Sequence, residues 1–290
     1  MKKNHDSGKS LKKRNPIFLP ILGLFLLPLG CILLQTVFDQ GVMLLGGEAT
    51  FGILEPTLAA VLAGALCLFI HKGWYAGDYE GSLKFRNFGK GFLLLLPCFA
   101  FVALNLLGVK FSSLTADRIL AMFVSSIAPG FIEEVAFRGL AGANFMRAWR
   151  DEKKIVLAAT LTSIVFAAAH LVNLSQGAGL YVTLTQILFA FGAGVIFSAV
   201  FFRTGSLLPS IAVHTLVDFT CFLNPGGDGV MTDNGAFNLT SLVLGVLSII
   251  LGVLGYYYLR PTKRAEILDI WKKKWNLDKA DTSAEEASAD

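Results

Sequence analysis

Charged residues are scarce in this chain. Only 16% of its 290 residues are Asp, Glu, Lys or Arg, whereas 54% are hydrophobic and 24 are Phe. About one quarter of an average soluble domain is charged, so this composition excludes an ordinary soluble domain of the same length. It indicates a polytopic membrane protein.

The sequence shows neither a disulfide framework nor a nucleotide-binding loop. The four cysteines lie within apolar segments at no metal-ligand spacing, which predicts packing rather than a disulfide framework; they are Cys31, Cys67, Cys98 and Cys221. The chain also lacks a glycine-rich phosphate-binding loop, so no nucleotide cofactor site is predicted.

Eight apolar windows are long enough, or nearly so, to cross a hydrocarbon core that needs about 20 helical residues. They are 16–38, 51–70, 91–109, 119–140, 155–173, 179–202, 206–223 and 239–258. The predicted fold is therefore an all-α, polytopic membrane helical bundle of about eight transmembrane helices. We divide it into a basic cytoplasmic N-terminus (1–15), N-terminal transmembrane helices (16–110), a catalytic transmembrane core (111–258) and a cytoplasmic tail (259–290) with a disordered end.

The positions of lysine and arginine predict the orientation, because cations near span ends stay on the cytoplasmic side. Of the 25 cations, 22 fall before residue 16, in 71–90, in 147–154, at Arg203 or after residue 258. Both termini are therefore predicted to be cytoplasmic, in the plasma membrane of a prokaryote. The net charge of +4 reflects this topology and attraction to anionic lipid, and predicts no nucleic-acid partner. Lysines around Trp271 and Trp275 predict a membrane-surface helix in the tail.

Ionisable residues inside a membrane are costly, so a group of them indicates a functional site. In the sequence Glu133-Glu134-Val-Ala-Phe-Arg138, Glu134 and Arg138 have the i,i+4 spacing of a helical ion pair. Glu133 points about 100° away and stays available as a general base. The alternative is a purely structural ion-pair cluster at a helix end.

Two further motifs follow, Phe166-Ala-Ala-Ala-His170 and His214-Thr-Leu-Val-Asp218. A single histidine in an apolar helix is most often a core residue. Two of them within spans, with a di-glutamate and an aspartate, form a set that binds zinc or activates water without it. Glu133, His170 and His214 are thus candidate ligands of zinc or another divalent metal.

These three motifs resemble the signature of the CPBP intramembrane endopeptidases, which include the type II CAAX prenyl proteases and the Abi proteins of bacteriocin processing and self-immunity. That signature reads Glu-Glu-x-x-x-Arg, Phe-x-x-x-His and His-x-x-x-Asn/Asp on successive helices of an eight-span bundle. The resemblance covers roughly residues 118–223 and implies a glutamate-dependent endopeptidase.

The resemblance also implies roles. Glu133 is the catalytic base, His170 helps it to hold and activate water, Glu134 and Arg138 are structural, and His214 and Asp218 steady the scissile carbonyl or its oxyanion. Asp218 departs from the Asn of the prenyl-protease branch. It is either protonated, or orients His214, or binds a metal, and we favour the second reading because an i,i+4 carboxylate can fix the ring's tautomer.

The function expected from the sequence is cleavage of a peptide or membrane-associated protein near the cytoplasmic face, with no CAAX specificity carried over. Alternatives are a non-catalytic scaffold or self-immunity protein of the same family and, third, a transporter. One geometric problem stays open: His170 lies about 22 Å along its span, whereas His214 lies only about eight residues into its own. The remaining intramembrane carboxylate, Glu55 before Pro56, is expected at a helix kink near the outer interface.

Overall fold

The structure, a computed structural model, describes residues 18–75, 79–224 and 239–276. These residues form helices and no strand, which confirms the all-α membrane bundle. The longer helices are α1 (Phe18–Leu44), α2 (Glu55–Trp74), α3 (Phe88–Leu94), α4 (Phe99–Leu107), α5 (Ala116–Glu133), α6 (Ala143–Ala148), α7 (Lys154–Ala169), α8 (Leu180–Thr204), α9 (Leu208–Phe222), α10 (Leu239–Tyr258) and α11 (Pro261–Lys274). Short helices occupy Gly47–Phe51 and Val172–Ser175.

Each of the eight apolar windows coincides with a helix or a helix pair of this set. In the described part of the chain, six helical stretches are long and apolar enough to cross a membrane. The α3–α4 region bends by 46° and makes a seventh if it counts as one span. The remaining window, α9, has only 15 residues. The count of eight crossings and the cytoplasmic termini therefore stay predictions.

Prolines explain two of these boundaries. Pro209 lies in the first turn of α9, where its missing N–H has no cost, so it starts the helix rather than opening it. Pro56 likewise lies in the first turn of α2, directly after Glu55. The expected kink at Pro56 is therefore wrong, because the chain before it belongs to a separate short turn.

The centre of the bundle is α8, whose second half is buried from Gly192 to Thr204 and packs between α7 and α10. Glycines allow this closeness. A Cβ on Gly255 of α10 would lie 2.8 Å from the backbone nitrogen of Ile196, and one on Gly192 would collide with the carbonyl oxygen of Ser248.

A second close contact, between α5 and α9, sets the position of the ionisable residues. A Cβ on Gly130 would lie 2.8 Å from the backbone nitrogen of Thr215 and 3.0 Å from its Cα. Glu133 follows Gly130 by three residues, and His214 directly precedes Thr215. The absence of a side chain at Gly130 thus brings the carboxylates of α5 against the imidazole of α9.

The tail helix α11 packs on the bundle. Trp271 and Trp275 are each 1% exposed, and the Trp271 indole N–H donates to the Phe202 carbonyl at 2.9 Å. The Trp275 ring stacks on Tyr79 at 4.0 Å between centroids. The aromatic rings of this helix therefore fill a groove of the protein, and its position at the membrane surface stays a prediction. The predicted disordered end lies outside the described residues.

Candidate active site

The Glu-Glu motif lies where α5 changes into a π-helix. Glu133 is the last residue of α5, and residues Glu134–Gly142 form a π-helical segment in which every residue is buried. Wide turns of this kind inside α-helices are frequent at functional sites. The sequence analysis assumed an α-helix throughout and did not anticipate this segment.

The two glutamates have opposite environments. The Glu134 side chain is 0% exposed and Arg138 is 1% exposed, and Arg138 Nη1 donates to Glu134 Oε1 at 2.9 Å. The Arg138 guanidinium also lies 4.3 Å from the centre of the Phe166 ring. The Glu133 side chain is 30% exposed. The buried pair is therefore part of the packing, whereas Glu133 faces open space.

His214 joins these carboxylates across the α5–α9 contact. Its Nδ1 lies 3.2 Å from Glu134 Oε1, and its Nε2 lies 3.6 Å from Glu133 Oε2 and 3.5 Å from Asp218 Oδ2. Because a carboxylate only accepts, the Nδ1–H donates to Glu134, and this bond assigns the tautomer.

The favoured reading, that Asp218 orients His214, stays a prediction, and the structure adds Glu134 as a second carboxylate in contact with the ring. The Nδ1–H of His214 reaches Glu134 on another helix, because the close Gly130–Thr215 contact places that carboxylate within reach. Asp218 lies on the opposite side of the ring, beside the same nitrogen that faces Glu133. Asp218 therefore shares the open side of the site.

His170 directly follows the last residue of α7, one turn after Phe166. Its Nδ1 lies 3.1 Å from the Phe166 carbonyl oxygen, which can only accept a hydrogen bond. The proton is therefore on Nδ1, and Nε2 keeps a lone pair that can accept a hydrogen bond from water.

The two histidines reach one cavity despite their different distances along their spans. The Phe166 ring centre lies 5.2 Å from that of His170 and 6.3 Å from that of His214, and all three side chains line the same cavity. The difference in distance along the helices persists, since His170 follows the whole of α7 and His214 is the seventh residue of α9, yet both side chains line this cavity.

Two cavities meet at these residues. The larger, here called the chamber, has a volume of about 740 Å³ and includes Glu133, His170, His214 and Asp218 in its wall. The smaller, here called the cleft, has about 360 Å³ and lies between α1, the α5–π segment and α7. Residues common to both walls are Glu133, Phe166, His170, Asn173 and Gln186. Glu55 is in neither wall.

Asn173 and Gln186 are site residues that the sequence analysis missed. Asn173 Nδ2 donates to Gln186 Oε1 at 2.7 Å, and the pair bridges the turn after α7 and helix α8. Phe166 was noted only as a letter in a motif, although its carbonyl and ring contact His170 and its ring contacts Arg138. A short polar pair beside an active site carries no sequence signal that separates it from other polar loop residues.

The donor geometry also bears on the metal expectation. Within 18–75, 79–224 and 239–276, no three His, Cys, Asp or Glu side chains are arranged so that they could hold a metal ion together. Glu133, His170 and His214 nevertheless line one chamber, and the binding of zinc or another divalent metal by these residues stays a prediction.

The comparison with known families agrees with the motifs. No curated protein matches the chain significantly. Residues 115–220 match the family model described as type II CAAX prenyl endopeptidase Rce1-like. This range starts at the N-cap of α5 and runs almost to the end of α9, so it contains all six predicted site residues. Residues 115–220 of this membrane chain are thus similar to the type II CAAX prenyl endopeptidases, over the range that contains the three motifs.

Proposed function

We propose that the chain is an intramembrane endopeptidase in which Glu133 activates the water that attacks the peptide bond. One observation carries the proposal: Glu133 and His170 both lie in the shared wall of two cavities. A peptide that extends from the cleft into the chamber passes these two side chains in its middle, with further residues of the peptide on both sides of them. That arrangement favours cleavage within a peptide over trimming at its end.

The water is held between Glu133 and His170. The His170 Nε2 lone pair accepts one hydrogen bond from the water, since Nδ1 is committed to the Phe166 carbonyl. Glu133 accepts the other proton as general base, and the oxygen adds to the scissile carbonyl carbon. Burial of Glu134 beside Arg138 leaves Glu133 as the carboxylate that a substrate can reach.

The negative charge that develops on the carbonyl oxygen needs a donor. His214 supplies it from Nε2 when the ring is protonated, since Glu134 holds Nδ1. The C–N bond then breaks, and Glu133 gives its proton to the leaving amine. This step regenerates the Glu133 carboxylate.

Cleavage of quenched fluorescent peptides by the purified protein in lipid vesicles tests this mechanism. We expect turnover by the wild type and none by Glu133→Gln or His170→Ala. Glu55→Gln is the matched control, because Glu55 is a carboxylate at a helix start in neither cavity wall. Activity of Glu133→Gln equal to the wild type contradicts the assignment, and loss on chelation with recovery on added zinc replaces it with a metal mechanism.

A further inference from the structure

The basic segments of the described chain meet at one end of the bundle. Lys90 binds Glu266 at 2.7 Å, and Arg147 lies 3.9 Å from the Tyr75 ring centre and 5.0 Å from that of Trp275. The Ser206 hydroxyl donates to the Lys84 carbonyl at 2.6 Å. These contacts connect 79–90, 147–154, 203–207 and α11, which are the segments that the distribution of cations predicts to be cytoplasmic.

The chamber extends to the opposite end of the bundle. Its wall includes the turn from Gln176 to Gly179, between α7 and α8, and Phe222 at the end of α9. Asn105, near the end of α4, is also in the wall, and its carbonyl accepts from Asn224 at 3.1 Å. These helix ends lie a full helix length away from Lys154, Thr204 and Leu208.

With the predicted orientation, this end of the chamber faces away from the cytoplasmic segments. We infer that the chamber opens on the non-cytoplasmic side, and that the substrate is a peptide segment presented from that side. That a substrate enters the chamber rests on the proposed function, whereas the direction in which the chamber opens does not depend on catalysis.

The chamber wall suits such a segment. Its polar groups at the open end are the neutral amides of Asn105, Asn173, Gln176 and Gln186, which can both donate to and accept from a peptide backbone. The wall has no lysine or arginine among the residues that the structure describes. A polar, water-exposed peptide finds hydrogen-bond partners there that a lipid chain does not use.

Thiol labelling with a membrane-impermeant maleimide tests the direction. Single cysteines are placed at Gln176, at the chamber mouth, and at Arg150, an exposed residue at the basic end. Both variants are made in a protein whose four native cysteines are changed to alanine. The same two variants are also made in the protein with its native cysteines, and the labelling of that unsubstituted protein is subtracted. We expect intact bacterial cells to give full labelling of Gln176→Cys, and labelling of Arg150→Cys only after the membrane is permeabilised.

The reverse pattern, labelling of both variants in intact cells, or no labelling of Gln176→Cys after permeabilisation overturns the inference. Repeating the experiment with Glu133→Gln added separates the two claims. Its labelling must match the parent, since Glu133 lies at the inner part of the chamber and does not set its direction. A protein without protease activity can therefore still pass this test, and an active protease can fail it.

Discussion

The buried pair of Glu134 and Arg138 predicts a large loss of stability when one charge is removed. Arg138→Met keeps an apolar side chain against Phe166 but removes the Arg138 charge from Glu134, which is 0% exposed and then keeps only the contact with His214 Nδ1 among its charged partners. Breaking a buried pair in this way typically costs about 3 to 5 kcal/mol. Loss of the cation–π contact with Phe166 adds about 1 kcal/mol. We therefore expect a destabilisation of roughly 4 kcal/mol.

Thermal unfolding in detergent, in a double-mutant cycle, measures this effect. About 4 kcal/mol corresponds to a decrease in Tm of roughly 8 to 16 °C for a chain of this size. Glu134→Gln alone is expected to destabilise too, and the double variant Glu134→Gln/Arg138→Met to lose much less than the sum, with a coupling of about 1 to 3 kcal/mol. Glu133→Gln is the control, because its side chain is 30% exposed. A Tm of Arg138→Met equal to that of the wild type, or additive effects, refutes the reasoning.

Three further predictions concern the site and the tail. Asp218→Asn should keep substantial activity, because Glu134 already orients His214 and an amide can donate to the oxyanion; loss of activity together with loss of bound metal, measured in parallel, contradicts this. Gly130→Ala should cost about 1 to 3 kcal/mol through overpacking against Thr215 and lower kcat by moving His214, whereas Gly30→Ala, which meets nothing within 4 Å, should change neither. Burial lowers the pKa of Lys274, with Glu80 opposing, from 10.5 to about 8. The folded state thus releases this proton before the unfolded state does, so Tm should rise with pH from about 8 toward 10.5 in the wild type, and Lys274→Met should lack that rise.

The helices and the membrane class follow from hydrophobic length alone, because a span must satisfy its own backbone and expose apolar side chains. The i,i+4 spacing of Glu134 and Arg138 likewise needs no tertiary information, and the structure contains that pair at 2.9 Å. The catalytic roles given to Glu133, His170, His214 and Asp218 stay predictions, which activity measurements decide.

Contacts between helices that are far apart along the chain could not be predicted from the sequence. The bond from His214 to Glu134 depends on a close α5–α9 crossing at Gly130, and a glycine in a helix does not reveal its neighbour. The π-helical turn and the burial of Trp271 and Trp275 depend on packing in the same way. The direction of the chamber depends on which helix ends the cavity reaches, whereas residue spacing predicts only distances along each span.

The proposed role of Glu133 is to activate the water that cleaves a peptide bond. The most direct test of this role compares the peptide termini of membranes and culture medium from cells that carry either the wild type or Glu133→Gln, at equal protein abundance. We expect at least one new terminus that appears with the wild type and is absent with both Glu133→Gln and the empty strain. Identical sets of termini for the wild type and Glu133→Gln, in cells where both proteins are folded and abundant, would contradict it.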